Sequence, residues 1–432
     1  MWRRYLALYA DILHLRFTDT FVGLPPHTLN AISRNQVWAR LWQVLLYTGG
    51  RLIANIFLPG RKKKDDLRGK IWLYVVSKNN YESLAFLRQQ FPDAVFVAGQ
   101  NKQIGIYNGQ VNRLSTRWKL LYYYKYPILL AGLYRLKGPL ALRFFDLIFT
   151  ATGYYELSLR HLRRYRPRAI LFANDHNTDP RALLLAAKAL HIPTAYIQHA
   201  SVSTSFPPLS FDLNLLEGQD ALDKYRQCGP ITGEVRLIGM PKADAFLGHK
   251  NLGSTIRHIG ICTNTMDELE AIRVLLVVLR DNFPDWLISL RPHPGDRRDF
   301  GFIEAVKGPV QLSDSKTESA FEFLKKQDAL IAADSSIHLE ATMLNILSIY
   351  YRFGKSNFKY DYYGYVQHNL IEAAKDLPAL LHVLNQYSQN RPRVYQKASY
   401  YNAVIGTAYE GKSHELALRY LQEFLQKSLA HA

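Results

Sequence analysis

Four short polar runs in this 432-residue chain combine residue types suited to handling a phosphate or a proton. In Arg291-Pro292-His293-Pro294 two prolines fix the backbone around a histidine and deny helix there. An imidazole held in this way at low entropic cost could neutralise a departing phosphate, or could be a satisfied turn histidine. Asp334-Ser335-Ser336 stands just before a predicted helix. Its hydroxyls and free N–H groups would make an anion site, and the same residue types are ordinary helix caps. Gln198-His199-Ala200-Ser201-Val202-Ser203 places an imidazole at a predicted strand end. There it could act as a general base toward an acceptor hydroxyl. His176, Asp175 and Asp179 compete for that role. Thr263-Asn264-Thr265 could hold a pyrophosphate through side chains and backbone. Glu217-Gly218 is an acidic-glycine loop, and Glu340 is a helix residue that could contact a ribose or base.

These runs need elements to position them. Ile71–Val76, Ala94–Val97, Ala169–Ala173 and Thr194–Ile197 read as short buried strands, with a helix over Pro180–Leu190. A second series begins near His258: a strand and loop at Ile259–Asn264, strands at Trp286–Leu290, Ala329–Ala333 and Ile346–Tyr351, with a helix over Asp267–Asp281. Strands alternating with helices indicate parallel βαβ units. The pattern occurs twice, with a break at 238–257. The expected architecture is α/β, with two doubly wound Rossmann-like domains facing a cleft. The expected organisation is a basic helical segment at 1–70, a first domain at 71–245, a second at 255–400 and C-terminal helices at 401–432. The candidate runs all fall at predicted carboxyl ends of strands, where open α/β sheets bind ligands.

Within 1–70, apolar residues recur at near-helical spacing, and the run Arg61-Lys62-Lys63-Lys64 follows. This segment either packs its apolar side on the protein's own core or lies on an anionic membrane surface. Residues 115–150 mix Tyr, Leu and cations, which suggests an exposed basic-aromatic surface or cations covering apolar neighbours. The formal net charge of +18 favours polyanions as partners. No nucleic-acid recognition motif is evident, so nucleic acid is not expected. Cys228 and Cys262 have no CxxC spacing, so neither zinc nor a disulfide framework is indicated. No stretch reaches the roughly 18 uncharged apolar residues of a spanning helix. The expected location is cytoplasmic, with a peripheral place on the inner face of the plasma membrane as its extension. The P-loop, dinucleotide, HExxH and GxSxG motifs are absent, as is DxD. No metal and no cofactor is expected.

The pair Arg291-Pro292-His293-Pro294 and Asp334-Ser335-Ser336 resembles the HP and SS motifs of bacterial sialyltransferases and polysialyltransferases. It is equally similar to those of the CDP-glycerol glycerophosphotransferases of teichoic-acid and capsule synthesis. The resemblance implies the GT-B fold, a cytidine-nucleotide donor, and contacts from His293, Ser335 and Ser336 to the donor phosphate. Gln198-His199-Ala200 resembles the Trp-His-Gly loop of the glycerophosphotransferases, whose histidine is the proposed base; Ala200 stands where that loop has glycine. Ile238-Gly239-Met240-Pro241-Lys242-Ala243-Asp244 resembles the segment before the second domain of many surface-carbohydrate GT-B proteins.

The expected donor site is Thr263, Asn264, Arg291, His293, Pro294, Asp334, Ser335, Ser336 and Glu340. The expected catalytic groups are His293 with His199 or Asp175. The resemblance implies an inverting, metal-independent glycosyltransferase of capsule or lipopolysaccharide synthesis. It would use a CMP-sugar such as sialic acid or Kdo and a glycan or lipid-linked acceptor. A CDP-glycerol or CDP-ribitol phosphotransferase, a UDP-sugar epimerase and a non-catalytic polyanion- or membrane-binding protein are the rivals.

Overall fold

The apolar runs become parallel strands covered on both faces, which is why they are continuous and do not alternate with polar residues. The computed structural model describes residues 2–57, 65–99, 102–355 and 359–430. The run Arg61-Lys62-Lys63-Lys64 lies outside the described residues. The chain divides into two units. Unit 1 comprises Met1–Glu217, Ala221–Leu237 and His414–Ala432; unit 2 comprises Gly218–Asp220 and Ile238–Ser413.

Among the described residues, unit 1 holds seven parallel strands. They are β1 (Ile71–Tyr74), β2 (Ala94–Gly99), β3 (Asn112–Leu114), β4 (Ala169–Phe172), β5 (Thr194–Ile197), β6 (Leu213–Leu216) and β7 (Glu234–Leu237). Their order is β3-β2-β1-β4-β5-β6-β7. Unit 2 holds β8 (His258–Thr263), β9 (Leu287–Pro292), β10 (Val310–Leu312), β11 (Ala329–Ala332), β12 (Leu347–Tyr351) and β13 (Glu372–Ala374). Their order is β10-β9-β8-β11-β12-β13. Each sheet therefore reverses direction beside its first strand, between β1 and β4 and between β8 and β11. That is the doubly wound arrangement, and the crevice outside the carboxyl ends at such a switch point is the usual ligand site.

Alternate residues of each strand feed opposite cores. In β11, Ala329 and Ile331 pack with Ile259, Ile261, Ile288 and Leu290. Leu330 and Ala332 pack on the other face with Cys262 and Tyr350. The register sets Thr263 level with Pro292 and Cys262 level with Ala332. The loops after β8, β9 and β11 thus emerge along one edge.

The N-terminal segment is helical, with helices at Trp2–Ile12, Asp19–Val22, Pro26–Ile32 and Val37–Phe57. The first is bound into unit 1. Tyr9 is fully buried and its hydroxyl donates to Glu156 Oε2 at 2.8 Å. Tyr5 donates to Glu156 Oε1 at 2.9 Å. Leu6 lies over Gly132, where an added Cβ would displace the Leu6 side chain. This helix realises the core-packing alternative. Helix Val37–Phe57 does not, and its outward side carries exposed Trp38, Trp42, Leu45 and Leu46. Helix Ser413–Ala430 belongs to unit 1 from His414 onward, while residues up to Ser413 belong to unit 2.

Candidate active site

In unit 2 the loops after β8 and β9 are braced against each other, and the loop after β11 is fixed separately beside them. Asn264 N–H donates to Asp267 Oδ2 at 2.7 Å, and Met266 N–H donates to Asn264 Oδ1 at 2.7 Å, closing a tight turn after β8. Arg298, from the loop after β9, donates to the carbonyl oxygens of Asp267 and Asn264. Its guanidinium also grips Asp296 with bonds of 2.6 and 2.9 Å. The pyrophosphate-loop candidate and the histidine loop are therefore tied together by one arginine. Asp267 is buried beside Asn264 and Arg298 and feels the charges of Asp334 and Asp296. Burial is the largest effect, and its pKa is pushed up to about 7.

Among the described residues, three polar groups at these loops remain uncommitted. His293 Nδ1 accepts the Gly295 N–H at 3.0 Å. In the neutral ring the proton is then on Nε2, which carries no hydrogen bond among the described residues. Partial desolvation of the ring lowers its pKa, and Asp296 works in the opposite direction. The ring lines a hollow of about 240 Å³ with Pro292, Pro294, Asp296, Ser313 and Lys316. Thr263 is buried, and its Oγ1 has no partner among the described residues. Ser336 is the N-cap of helix Ile337–Met343, yet its side chain makes no capping bond. Ser335 Oγ accepts only a long 3.4 Å bond from Ile337 N–H. Since β9 and β11 both flank β8, the strands that lead into the histidine and serine loops lie roughly 10 Å apart, with Thr263 at the end of the strand between them.

The other expected donor residues are engaged within unit 2. Arg291 is buried and donates to Ser313 Oγ and to the Glu318 carbonyl, each at 2.7 Å. Glu340 is buried and paired with Lys242 at 2.6 Å. Asp334 accepts from Tyr350 Oη at 2.7 Å and from Tyr362 N–H at 2.8 Å, which fixes the turn that presents the serines. Sequence reasoning missed His338, whose ring is fully buried. Nε2 lies 2.9 Å from the Ala333 carbonyl, to which it donates, and Nδ1 lies 2.6 Å from Ser348 Oγ. Burial drives its pKa down to about 4. It acts as a neutral strut under the serine loop.

Unit 1 offers a different constellation at its own strand ends. Asp175 follows β4 and is buried. Its Oδ1 is 2.9 Å from His176 Nδ1, and its Oδ2 accepts from Tyr225 Oη at 2.5 Å. Burial opposes its ionisation, but the bond and charge of His176 and the bond from Tyr225 prevail, and its pKa lies below the ordinary value. The carboxylate thus orients the imidazole through Nδ1–H. His176 Nε2 carries no hydrogen bond among the described residues, and the ring rests against Phe206 at 4.4 Å. This is the base-and-orienter arrangement of nucleophile activation. His199 differs, because Asn80 Nδ2 lies 3.0 Å from its Nε2 and that nitrogen is already an acceptor. Asp179 accepts from Tyr74 Oη at 3.0 Å and pairs with Lys102 at 3.1 Å. Glu217 is buried against Gln198.

No family model matches the chain, and no curated protein matches it. Solved structures do. The UDP-GlcNAc 2-epimerase of Neisseria meningitidis, bound to UDP-GlcNAc, superposes with a TM-score of 0.51 at 12% identity, over 82% of this chain and 100% of that one. The UDP-N-acetylglucosamine 2-epimerase of Rickettsia bellii gives 0.51 at 13% identity, over 83% and 97%. A variant of the wall teichoic acid polymerase TagF soaked with CDPG gives 0.50 at 11% identity, over 91% and 98%. Identities this low speak to the fold alone. Two Rossmann-like parallel sheets, a helical N-terminal segment and these neighbours together establish that the chain has the GT-B fold.

Proposed function

We propose that this chain is an inverting, metal-independent glycosyltransferase taking its sugar from a cytidine-nucleotide donor. A CMP-sugar such as sialic acid or Kdo, used in bacterial cell-surface polysaccharide synthesis, is the expected substrate. The observation that carries the reading is the set of uncommitted polar groups at the switch point of unit 2: His293 Nε2, Thr263 Oγ1 and Ser336 Oγ. All three suit the charge that develops on a departing phosphate. Arg291, Asp334 and Glu340 hold the loops there. A CDP-glycerol or CDP-ribitol phosphotransferase is the second reading, supported by the likeness to TagF soaked with CDPG.

The acceptor proton goes to His176 Nε2, with Asp175 orienting the ring and Tyr225 holding Asp175. In the transfer the acceptor oxygen bonds to the anomeric carbon and gives its proton to His176. The nucleotide leaves with the bonding electrons, and its charge is met in unit 2.

A thermal-shift screen with CMP, CDP, UDP and GDP tests the donor site. A nucleotide at about 100 times its Kd adds about 2.7 kcal/mol of stability. A shift from CMP or CDP is expected, and it should vanish in His293→Ala and in Ser335→Ala/Ser336→Ala while their unliganded Tm stays unchanged. A response to UDP alone, with UDP-sugar interconversion in the absence of acceptor, would establish an epimerase instead. With the donor that the screen identifies, His176→Ala should lower turnover about 10²–10⁴-fold at unchanged nucleotide affinity. His199→Ala should cost far less, and the opposite ranking would overturn the assignment of the base.

A further inference from the structure

Helix Val37–Phe57 is amphipathic the wrong way round for a helix that only serves its own core. Its inward side carries Arg40, Tyr47 and Arg51, at i, i+7 and i+11. Arg40 donates to the Arg143 carbonyl at 2.7 Å, and Arg51 donates to Thr116 Oγ1. Its outward side carries Trp38 at 76% exposure, Trp42 at 63%, Leu46 at 70% and Ile53 at 59%. The element Arg117–Lys125, which packs on this helix, adds exposed Trp118 and Leu121, and helix Tyr126–Lys137, which packs on Arg117–Lys125, adds exposed Leu136. An apolar face of this extent, topped by indoles, marks a binding surface and is not ordinary scatter.

Charge selects the occupant. Residues 20–64 and 102–145 together contain fifteen Lys and Arg and no Asp or Glu. The nearby carboxylates point inward, Asp146 to Ser33 and Glu156 to Tyr5, Tyr9 and Lys125. A second copy of the chain would set cations against cations, because a two-fold interface joins like patches. An anionic bilayer supplies both an apolar interior for the outward residues and phosphates for Arg34, Arg117, Arg135 and Lys137, all exposed. No described helix is long and apolar enough to cross a membrane. We propose that the outward face of helix Val37–Phe57, continued over Arg117–Lys137, lies in the interface of an anionic lipid bilayer.

The test is co-sedimentation with vesicles of phosphatidylcholine containing about one-third phosphatidylglycerol, against pure phosphatidylcholine. The intact protein should partition to the anionic vesicles, with blue-shifted tryptophan emission and release by high salt. Trp42→Glu/Leu46→Glu should weaken partitioning about tenfold or more with unchanged Tm, since both sites are exposed. Absence of binding to anionic vesicles overturns the proposal. So does equal partitioning of the double variant, or a wild-type dimer that the variant converts to monomer. The readout is independent of nucleotide, so it fails or succeeds separately from the transferase assignment.

Discussion

Four histidines in this chain share one side chain and differ in what their ring nitrogens touch. His338 has both nitrogens spent inside unit 2, His199 has Nε2 spent on Asn80, and His176 and His293 each keep Nε2 uncommitted among the described residues. The buried one has a consequence for stability. His338 titrates at about 4 in the folded protein against an ordinary 6.5, so between those values the unfolded chain binds more protons. Its effect is absent above pH 6.5, and as pH falls toward 4 the folded state loses about 3 kcal/mol. Asp267 runs the other way, with a folded pKa of about 7 against 3.8. The folded state then binds more protons, and stability is lost as pH rises from 4 to 7. Urea unfolding of Asp267→Asn against wild type separates the two. The variant, whose amide oxygen can still accept the Asn264 N–H, should gain stability at pH 7.5 and nothing at pH 4. A gain that is equal at both would refute the burial of that charge.

The elements were mostly legible because burial on both faces writes a continuous apolar run. Ile71–Val76 became β1 (Ile71–Tyr74), Thr194–Ile197 became β5 unchanged, and Pro180–Leu190 became a helix at Thr178–Ala189. Sequence reasoning missed β3, β6, β7, β10 and β13; β6 (Leu213–Leu216) is a buried interior strand, whereas β3 and β7 are short and polar. Asn112-Arg113-Leu114 in β3 and Glu234-Val235-Arg236-Leu237 in β7 are sheet edges, and in β7 exposure alternates along the strand. Neither carries the buried run that signals an interior strand. The geometry of the candidate site was legible where it rests on local order, as in the prolines around His293. It was illegible where partners lie far along the chain. Nothing local showed that Glu340 would meet Lys242, or that Arg291 would turn toward Ser313. Asp175 and His176 are adjacent in sequence, but only Tyr225, fifty residues on, reveals that the carboxylate is held and aimed. Periodicity likewise found the N-terminal helices but could not say which side of Val37–Phe57 faces outward, because that depends on Thr116 and Arg143.

For the whole molecule, the chain leaves unit 1 at Leu237 and returns to it at His414. Helix Ser413–Ala430 then buries Leu416, Ala417, Leu421 and Leu425, and Tyr420 lies 5.0 Å under the guanidinium of Arg236 in β7. Unit 2 keeps cores on both faces of its sheet without that helix. A chain ending at Ser413 should therefore damage unit 1 and spare unit 2. Each fully buried leucine is worth about 1.5–3 kcal/mol, so losing three removes roughly 5–9 kcal/mol, comparable to the whole stability of a domain. Hydrogen exchange should show β6 and β7 losing protection while β8 and β11 retain it, and any nucleotide-induced stabilisation of unit 2 should survive. Uniform loss across both sheets would mean that the units unfold as one cooperative body, and preserved protection in β7 would mean that the returning helix contributes little to it.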